Sequence, residues 1–407
     1  MTYITGKMTM GITGQTVDTA QRKYDIDPDI RFLSKALAKG AFYFAIQGPK
    51  MKPKKKVSTS VVFKHFEKDP IGYTGYLNGA VLAADAAINI DDGAAGAVYP
   101  IKPGDVISLV SSDQTKWENI LVLTLDSNST PTQIATCTRN FGNQTAASDW
   151  DDNTQFIILG NIAKEDYAAI SERILKSVLA APLTNYCFYN TTPYGGTRRA
   201  IKEQLWTGKS FDEMKKESWI LHTEQNSRFL FFGQAKAETT YGRTSTDGLI
   251  SRIKGGGGHT SHIGGNVSFA AFMDFMEELF DNNPGGTKMA GCSAIGLTMF
   301  DTWKKGMLQM KSSEEFMGVK VADFGTSHGD LVLYREQNLN GPWAGSIVFW
   351  DPDELTYRYF QDDDTHINTN IQDNADQGRI DEYASDIGIQ VDNAASHGLM
   401  TGIVGIV

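Results

Sequence analysis

The run from Lys209 to Phe232, KSFDEMKKESWILHTEQNSRFLFF, constrains the fold more than any other stretch, because no proline or glycine interrupts it before Gly233. Ser210 is placed to cap a helix, and Asp212 and Glu213 fall in its first turn, where the helix dipole favours acids. Phe211, Met214, Trp219, Ile220 and Leu221 read as an apolar stripe closed by Phe229 to Phe232, with Lys215, Lys216, Glu217 and Glu224 on the solvated side. The expectation is one long, one-sided helix of roughly 30 Å at about 1.5 Å rise per residue.

A chain of 407 residues has room for two or three domains around it. The formal charge of −10 and a pI near 5.2 argue against a surface that grips nucleic acid, but not against a protein that encloses DNA without holding it. Cys137, Cys187 and Cys292 are too few and too far apart for a disulfide framework or a zinc motif. The opening residues lack the basic-then-apolar order of a signal peptide, and no stretch reaches the ~20 apolar residues of a membrane span. The expectation is a soluble protein from a reducing compartment, for which the triplets at Asn128, Asn143, Asn190 and Asn266 are chance glycosylation patterns.

Residues 1–56 are polar and weakly periodic, with one short helix expected over Asp29–Tyr43 and a basic cluster at Lys50, Lys52, Lys54, Lys55 and Lys56. Such an arm carries too little apolar content to fold alone. Residues 57–70 hold a strand, VSTSVVFKHFE. Residues 71–162 read as an inserted β module, a small antiparallel barrel or sandwich. Its strands are expected over Ala87–Ile90, Val106–Val110, Asn119–Leu125, Gln133–Thr138 and Phe156–Leu159. Residues 163–209 combine an amphipathic helix, Ala163–Ala180, with a hairpin over Thr184–Leu205 that bends at Pro193-Tyr194-Gly195-Gly196. The long helix opens a region 210–288, which continues through an irregular segment, Gly233–Gly265, into a second helix over Ser268–Phe280. Residues 289–400 hold a third helix over Ala294–Gln309. An antiparallel meander follows (Gly318–Phe324, Asp330–Glu336, Ser346–Trp350, Leu355–Phe360), then a short strand at Gly388–Val391. The apolar tail, 401–407, needs cover from the fold or from a partner.

Four patterns invite a chemical reading. Gly325-Thr326-Ser327-His328-Gly329 matches G-x-S-x-G, but a nucleophile elbow needs a helix after its serine, and strand residues follow. The expectation is a hairpin turn. His259 and His262 lie in a Gly/Ser segment read as a flexible loop, with no third metal ligand marked beside them. Gly285-Gly286-Thr287-Lys288 is a helix stop and turn, not a phosphate loop. Asp362-Asp363-Asp364 has the charge for a cation and the composition of a solvated loop. No cofactor site emerges.

The order of elements, more than any motif, resembles the major capsid proteins of tailed double-stranded DNA phages: α+β proteins of the Hong Kong 97-type fold, in the branch with an inserted β domain. The likeness rests on Val62–Glu67, Ile101–Ile107, Cys137–Asn140, Gly160–Glu165, Phe324–Tyr334 and Trp350–Arg358, and spans about residues 57–401. It implies pentamers and hexamers assembling into an icosahedral head around packaged DNA. It further implies a spine helix in a peripheral domain, an extended loop formed by Thr184–Leu205, an axial domain near 289–400 and an arm over a neighbour. The partners it implies are other copies, the packaged DNA through non-specific inner-surface contact, and scaffolding, portal and cement or decoration proteins, with no membrane. It places the protein in the virion, assembled in the host cytoplasm, with no enzymatic role. Lys54, Lys55, Lys56, Tyr194, Arg198, Arg199 and Lys202 are the candidate inter-subunit contacts, and the hairpin cations can pair with a neighbour's acids. Two rivals stand beside this reading: a serine hydrolase acting through Ser327, and a virion-surface carbohydrate-binding β protein.

Overall fold

The computed structural model describes residues 40–47, 54–67, 73–90, 101–126, 133–142, 148–162, 182–202, 204–205, 208–281, 283–306, 314–316, 319–374 and 376–406. The expected helix over Ala163–Ala180, most of the arm and the Asp91-Asp92-Gly93 turn lie outside them. Six α-helices are described: α1 (Ala41–Gln47), α2 (Arg198–Lys202), α3 (Ser210–Phe232), α4 (Leu249–Gly255), α5 (Phe269–Phe280) and α6 (Ala294–Gly306). Residues 66–182 form one compact unit, and the chain before and after them forms the other.

The larger unit is built on two mixed sheets. In the first, the five-stranded sheet, Lys54–Ser58 runs parallel to Leu355–Phe360, which pairs antiparallel with the long strand Gly378–Val391. That strand also takes His366–Asn368 and, along ten residues, Phe188–Thr197. The second sheet has seven strands in the order His259–Val267, Gly398–Ile406, Ile347–Trp350, Thr287–Cys292, Asp330–Arg335, Val319–Gly325 and Glu314–Phe316. The expected meander therefore survives only as the hairpin Val319–Gly325/Asp330–Arg335. Thr287–Cys292, whose first two residues were expected to be part of a turn, inserts between Asp330–Arg335 and Ile347–Trp350, and Leu355–Phe360 belongs to the other sheet. Gly388–Val391 is the end of a fourteen-residue strand, not a separate one. Lys288 is fully buried there, 3.6 Å from Asp351 and donating to the Ser396 carbonyl at 2.7 Å. Burial lowers its pKa, and the Asp351 carboxylate opposes that shift.

Core packing explains most departures from the sequence reading. α5 behaves as its pattern requires: Ser268 caps it by accepting from the Ala271 N–H at 3.2 Å, and Phe272, Phe275, Met276, Leu279 and Phe280 face the seven-stranded sheet. Phe272 lies 5.4 Å from Phe300 and 5.1 Å from Trp303, ring centre to ring centre, so α5 and α6 share one aromatic cluster. Of the apolar tail, Ile403 enters that core beside Met400, whereas Val404 stays exposed. The expected irregular stretch Gly233–Gly265 contains α4 and the start of a strand paired parallel with Gly398–Ile406. At the other end, Ala41, Phe42, Tyr43, Ala45 and Ile46 are buried in the core of their own subunit, with Phe42 4.8 Å from Phe231 and 5.8 Å from Trp350. The arm thus ends no later than residue 39. The apolar run AFYFAI, of which only AFY falls within the helix expected over Asp29–Tyr43, is the part that packs.

The unit 66–182 is a separate, all-antiparallel sheet in the order Thr74–Tyr76, Gln155–Asn161, Asp105–Val110, Trp117–Asp126 and Gln133–Thr138. Four of the expected strands are present. The fifth, Ala87–Ile90, appears as single bridges, Leu77–Ile90 and Ile88–Ile134, which join the two edge strands across the gap. Buried Glu118 accepts from Arg139 Nε and Nη2 and from Trp150 Nε1, each at 2.8 Å. Burial pushes its pKa up, yet these donors hold it below the usual value.

Candidate inter-subunit surface

The candidate contacts sit on the outer margins of the five-stranded sheet. Phe188–Thr197 is straight through the expected bend, because ten residue pairs with Gly378–Val391 outweigh the turn tendency of Pro193-Tyr194-Gly195-Gly196. Proline is tolerated because this is an edge strand, whose outer side needs no N–H. Glycine at 195 has a steric cause: a Cβ there would lie 2.4 Å from the Arg379 carbonyl oxygen. The expected hairpin Thr184–Leu205 is therefore replaced by Leu183–Tyr186 paired with Val62–His65, then this strand, then α2.

That geometry separates the candidates. Tyr194 points towards α3, its ring 5.5 Å from Phe211 and 5.6 Å from Tyr383, and it is buried in its own subunit. It is withdrawn as a contact, since strand alternation turns it inward. Arg198, Arg199 and Lys202 are exposed on α2, and among the described residues none of the three makes an ion pair. Beside Arg198 and Arg199 is a groove of about 790 Å³, lined also by Pro193, Gly195, Gly196, Gly378 and Ile380. Lys54, Lys55 and Lys56 form the opposite margin. Lys55 is committed within its subunit, reaching Asp364 and lying 4.8 Å from the Tyr359 ring centre. Lys54 and Lys56 remain exposed, and lysines on an outermost strand discourage unwanted strand addition.

Between these margins, α3 lies on the sheet through a face that the sequence reading missed. Its buried residues are His222, Thr223, Asn226, Ser227, Leu230 and Phe231, whereas Leu221 and Phe229 of the expected stripe are more than 40 % exposed, at 44 % and 43 %. His222 Nδ1 is 3.0 Å from Thr192 Oγ1 and its Nε2 is 2.6 Å from Ser385 Oγ. Asn226 donates to Ser385 at 3.3 Å and accepts from Asn190 at 2.7 Å, while Ser385 donates to Thr365, which bonds Tyr43 of α1. Burial, with a smaller contribution from the His366 charge, depresses the His222 pKa to about 4, so the ring is neutral at pH 7. Residues 222, 223, 226, 227, 230 and 231 share one helical face by their spacing, but the polarity of four of them gives no sign that this face is the buried one.

The chemical candidates do not come together. Ser327 lies in the hairpin turn, closed by Thr326 N–H to the Gly329 carbonyl at 2.9 Å, and a strand follows it. His259 and His262 lie on a strand, not in a loop, and three-residue spacing there sends their rings to opposite faces. Asp364 is engaged by Lys55 and the Tyr357 hydroxyl.

The family profile described as SU10 major capsid protein matches residues 178–404, more than half of the chain. The chain belongs to that family. This capsid protein has its matched region across α2 to α6 and nearly all of both sheets of the larger unit. No curated protein sequence matches it. Among solved structures, a capsid chain of the native GTA particle is 10% identical, with 95% of this chain and 97% of that one covered and a TM-score of 0.41. The holo-SrpI encapsulin of Synechococcus elongatus PCC 7942 gives 9% identity, 55% and 76% coverage and 0.41. The capsid of Cyanophage A-1(L) gives 10%, 58% and 85%, and 0.40. The phage capsid resemblance read from the sequence thus holds at the level of the family.

Proposed function

We propose that this capsid protein assembles as pentamers and hexamers into an icosahedral, Hong Kong 97-type shell around a double-stranded DNA genome. The observation that carries the reading is the family match over 178–404, which takes in the long helix and the sheets against it. On this reading α3 is the spine and the five-stranded sheet is the body of the peripheral domain. The ladder Val62–His65/Leu183–Tyr186 is the root of the extended loop, with the β unit 66–182 inserted into it. The seven-stranded sheet with α5 and α6 supplies the axial domain. Closed shells need repeated complementary surfaces, and the exposed cations of α2 and of Lys54 and Lys56 supply candidates. The net charge of −10 keeps an enclosing wall from trapping DNA through phosphate contacts. Scaffolding, portal and decoration proteins are further partners on this reading, the virion is the protein's destination after assembly in the host cytoplasm, and Ser327 has no catalytic role.

Negative-stain electron microscopy with light scattering, on protein expressed with and without a scaffolding protein from the same phage, tests this. Shells, tubes or ring-shaped capsomers are the expected outcome. A monomer under every condition overturns it.

A further inference from the structure

We propose that Glu336 is a pH-sensitive latch on α1: the helix stays seated while this carboxyl is neutral and lifts when it ionises. The device lies inside one subunit and goes beyond the shell-building reading above.

Glu336 directly follows the strand Asp330–Arg335 and is fully buried. Its Oε1 accepts from the Asn338 N–H at 3.1 Å and from Asn338 Nδ2 at 2.8 Å, capping the short 3-10 turn Gln337–Leu339. Among the described residues, Oε2 takes no hydrogen bond and no cation pairs with the carboxyl. The Phe42 N–H of α1 favours the charged form without closing a hydrogen bond on Oε2. A charge taken out of water without a counter-charge is costly, and a carboxyl so placed keeps its proton instead. Burial accordingly raises the Glu336 pKa to about 8, against the opposing pull of Asn338 and Phe42. The titratable groups that face it are Tyr334 on its own strand and Cys292 on Thr287–Cys292. Burial pushes both upward, so both are neutral where Glu336 titrates. From α3 the site meets only the Ser227 hydroxyl, 3.2 Å from Asn338 Nδ2.

α1 is the element that can yield. It has seven residues and belongs to neither sheet, so lifting it breaks no strand ladder. A helix this short is not stable alone and is held by its packing. Phe42 lies against Phe231 and Trp350, and the Tyr43 hydroxyl is 2.7 Å from Thr365 Oγ1. Thr365 continues through Ser385 to His222, so a lifted α1 also withdraws one member of the polar seam beneath α3.

The direction of the response follows from the two states. With α1 lifted, Glu336 meets water and ionises near its ordinary 4.5; with α1 seated, it ionises at about 8. Between these values the lifted form gives up a proton that the seated form keeps. Seating is therefore strongest below about pH 4.5, weakens as pH rises, and stops weakening above about pH 8.

Hydrogen exchange of the unassembled full-length protein, read by mass spectrometry from about pH 5 to about pH 9, tests the latch. Each rate is divided by that of the free peptide at the same pH, and a fragment covering Ala41–Gln47 reports on α1. Its opening constant is expected to rise by up to about tenfold per pH unit and to level off above about pH 8. In Glu336→Gln, which keeps an acceptor for Asn338 and cannot ionise, the profile is expected to be flat. A flat wild-type profile, or a variant that rises as steeply, overturns the proposal. A fragment covering Phe269–Phe280 of α5 separates local from global opening. If α5 opens in step with α1, the latch is overturned as well. The wild-type profile and the α5 comparison decide the matter even where a thermal melt shows Glu336→Gln to be unfolded.

Discussion

Where α3 meets the five-stranded sheet its buried face includes His222, Thr223, Asn226 and Ser227, whereas α5 meets the seven-stranded sheet with Phe272, Phe275, Met276, Leu279 and Phe280. Both helices cover a sheet in the same unit, yet one contact is directional and the other is not. An apolar seam is stabilised by the area it removes from water and tolerates small slides. A seam of paired polar groups holds the helix in one register, because a slide leaves buried donors and acceptors unpaired. The capsid protein thus gains stability around α5 and positional definition along α3.

The comparison can be broken most easily at its apolar end. Phe272→Ala is expected to cost about 3–5 kcal/mol, through lost burial and the cavity left among Phe300, Trp303 and Phe324. A chemical-denaturation midpoint that barely moves would show that the aromatic cluster is not the source of stability assigned to it.

A pH titration of stability sharpens the polar end. His222 and His397 both have folded pKa values pushed down to about 4, chiefly by burial. Between pH 6.5 and 4 the unfolded chain takes up protons at these positions that the folded chain refuses. Their contribution is therefore complete above about pH 6.5 and is lost as pH falls towards 4, up to about 3 kcal/mol for one such group. Glu336 and Asp386, raised by burial to about 8 and about 6, act in the opposite direction. The readout is accordingly the difference between wild type and His222→Gln, with the variant losing less stability on acidification. Parallel curves would remove His222 from the account.

The smallest effect is expected at Leu221→Ser, because that side chain is already 44 % exposed: within about 0.5 kcal/mol in a thermal melt of the unassembled subunit. A large loss there would restore the apolar stripe read from the sequence.

These contrasts also explain what was legible. α5 was readable because its buried face and its apolar face coincide, and α3 was readable as a helix because nothing in it breaks one. The inward face of α3 was not, since hydrophobicity points to Leu221 and Phe229 while the fold buries Asn226 and Ser227. The strand Phe188–Thr197 was hidden for a different reason. Pro193, Gly195 and Gly196 signal a turn locally, and only the distant partner Gly378–Val391 makes them a strand. For Lys55, read as part of a basic cluster, and Tyr194, read as part of a bend, long-range neighbours, Asp364 and Phe211, decide where each side chain goes. Arg198, Arg199 and Lys202 are exposed, because a run of cations on a short surface helix has no reason to turn inward.

The ladder between Val62–His65 and Leu183–Tyr186 has a genetic consequence. His65 pairs directly with Leu183, so the chain leaves for residues 66–182 and returns from them at adjacent points. A coding segment spliced in or out between those two codons alters one turn of one hairpin and leaves every other strand order intact. Residues 66–182 are therefore expected to be exchangeable as one cassette at the gene level, and the same junction offers a place to graft a foreign sequence while the larger unit keeps its fold.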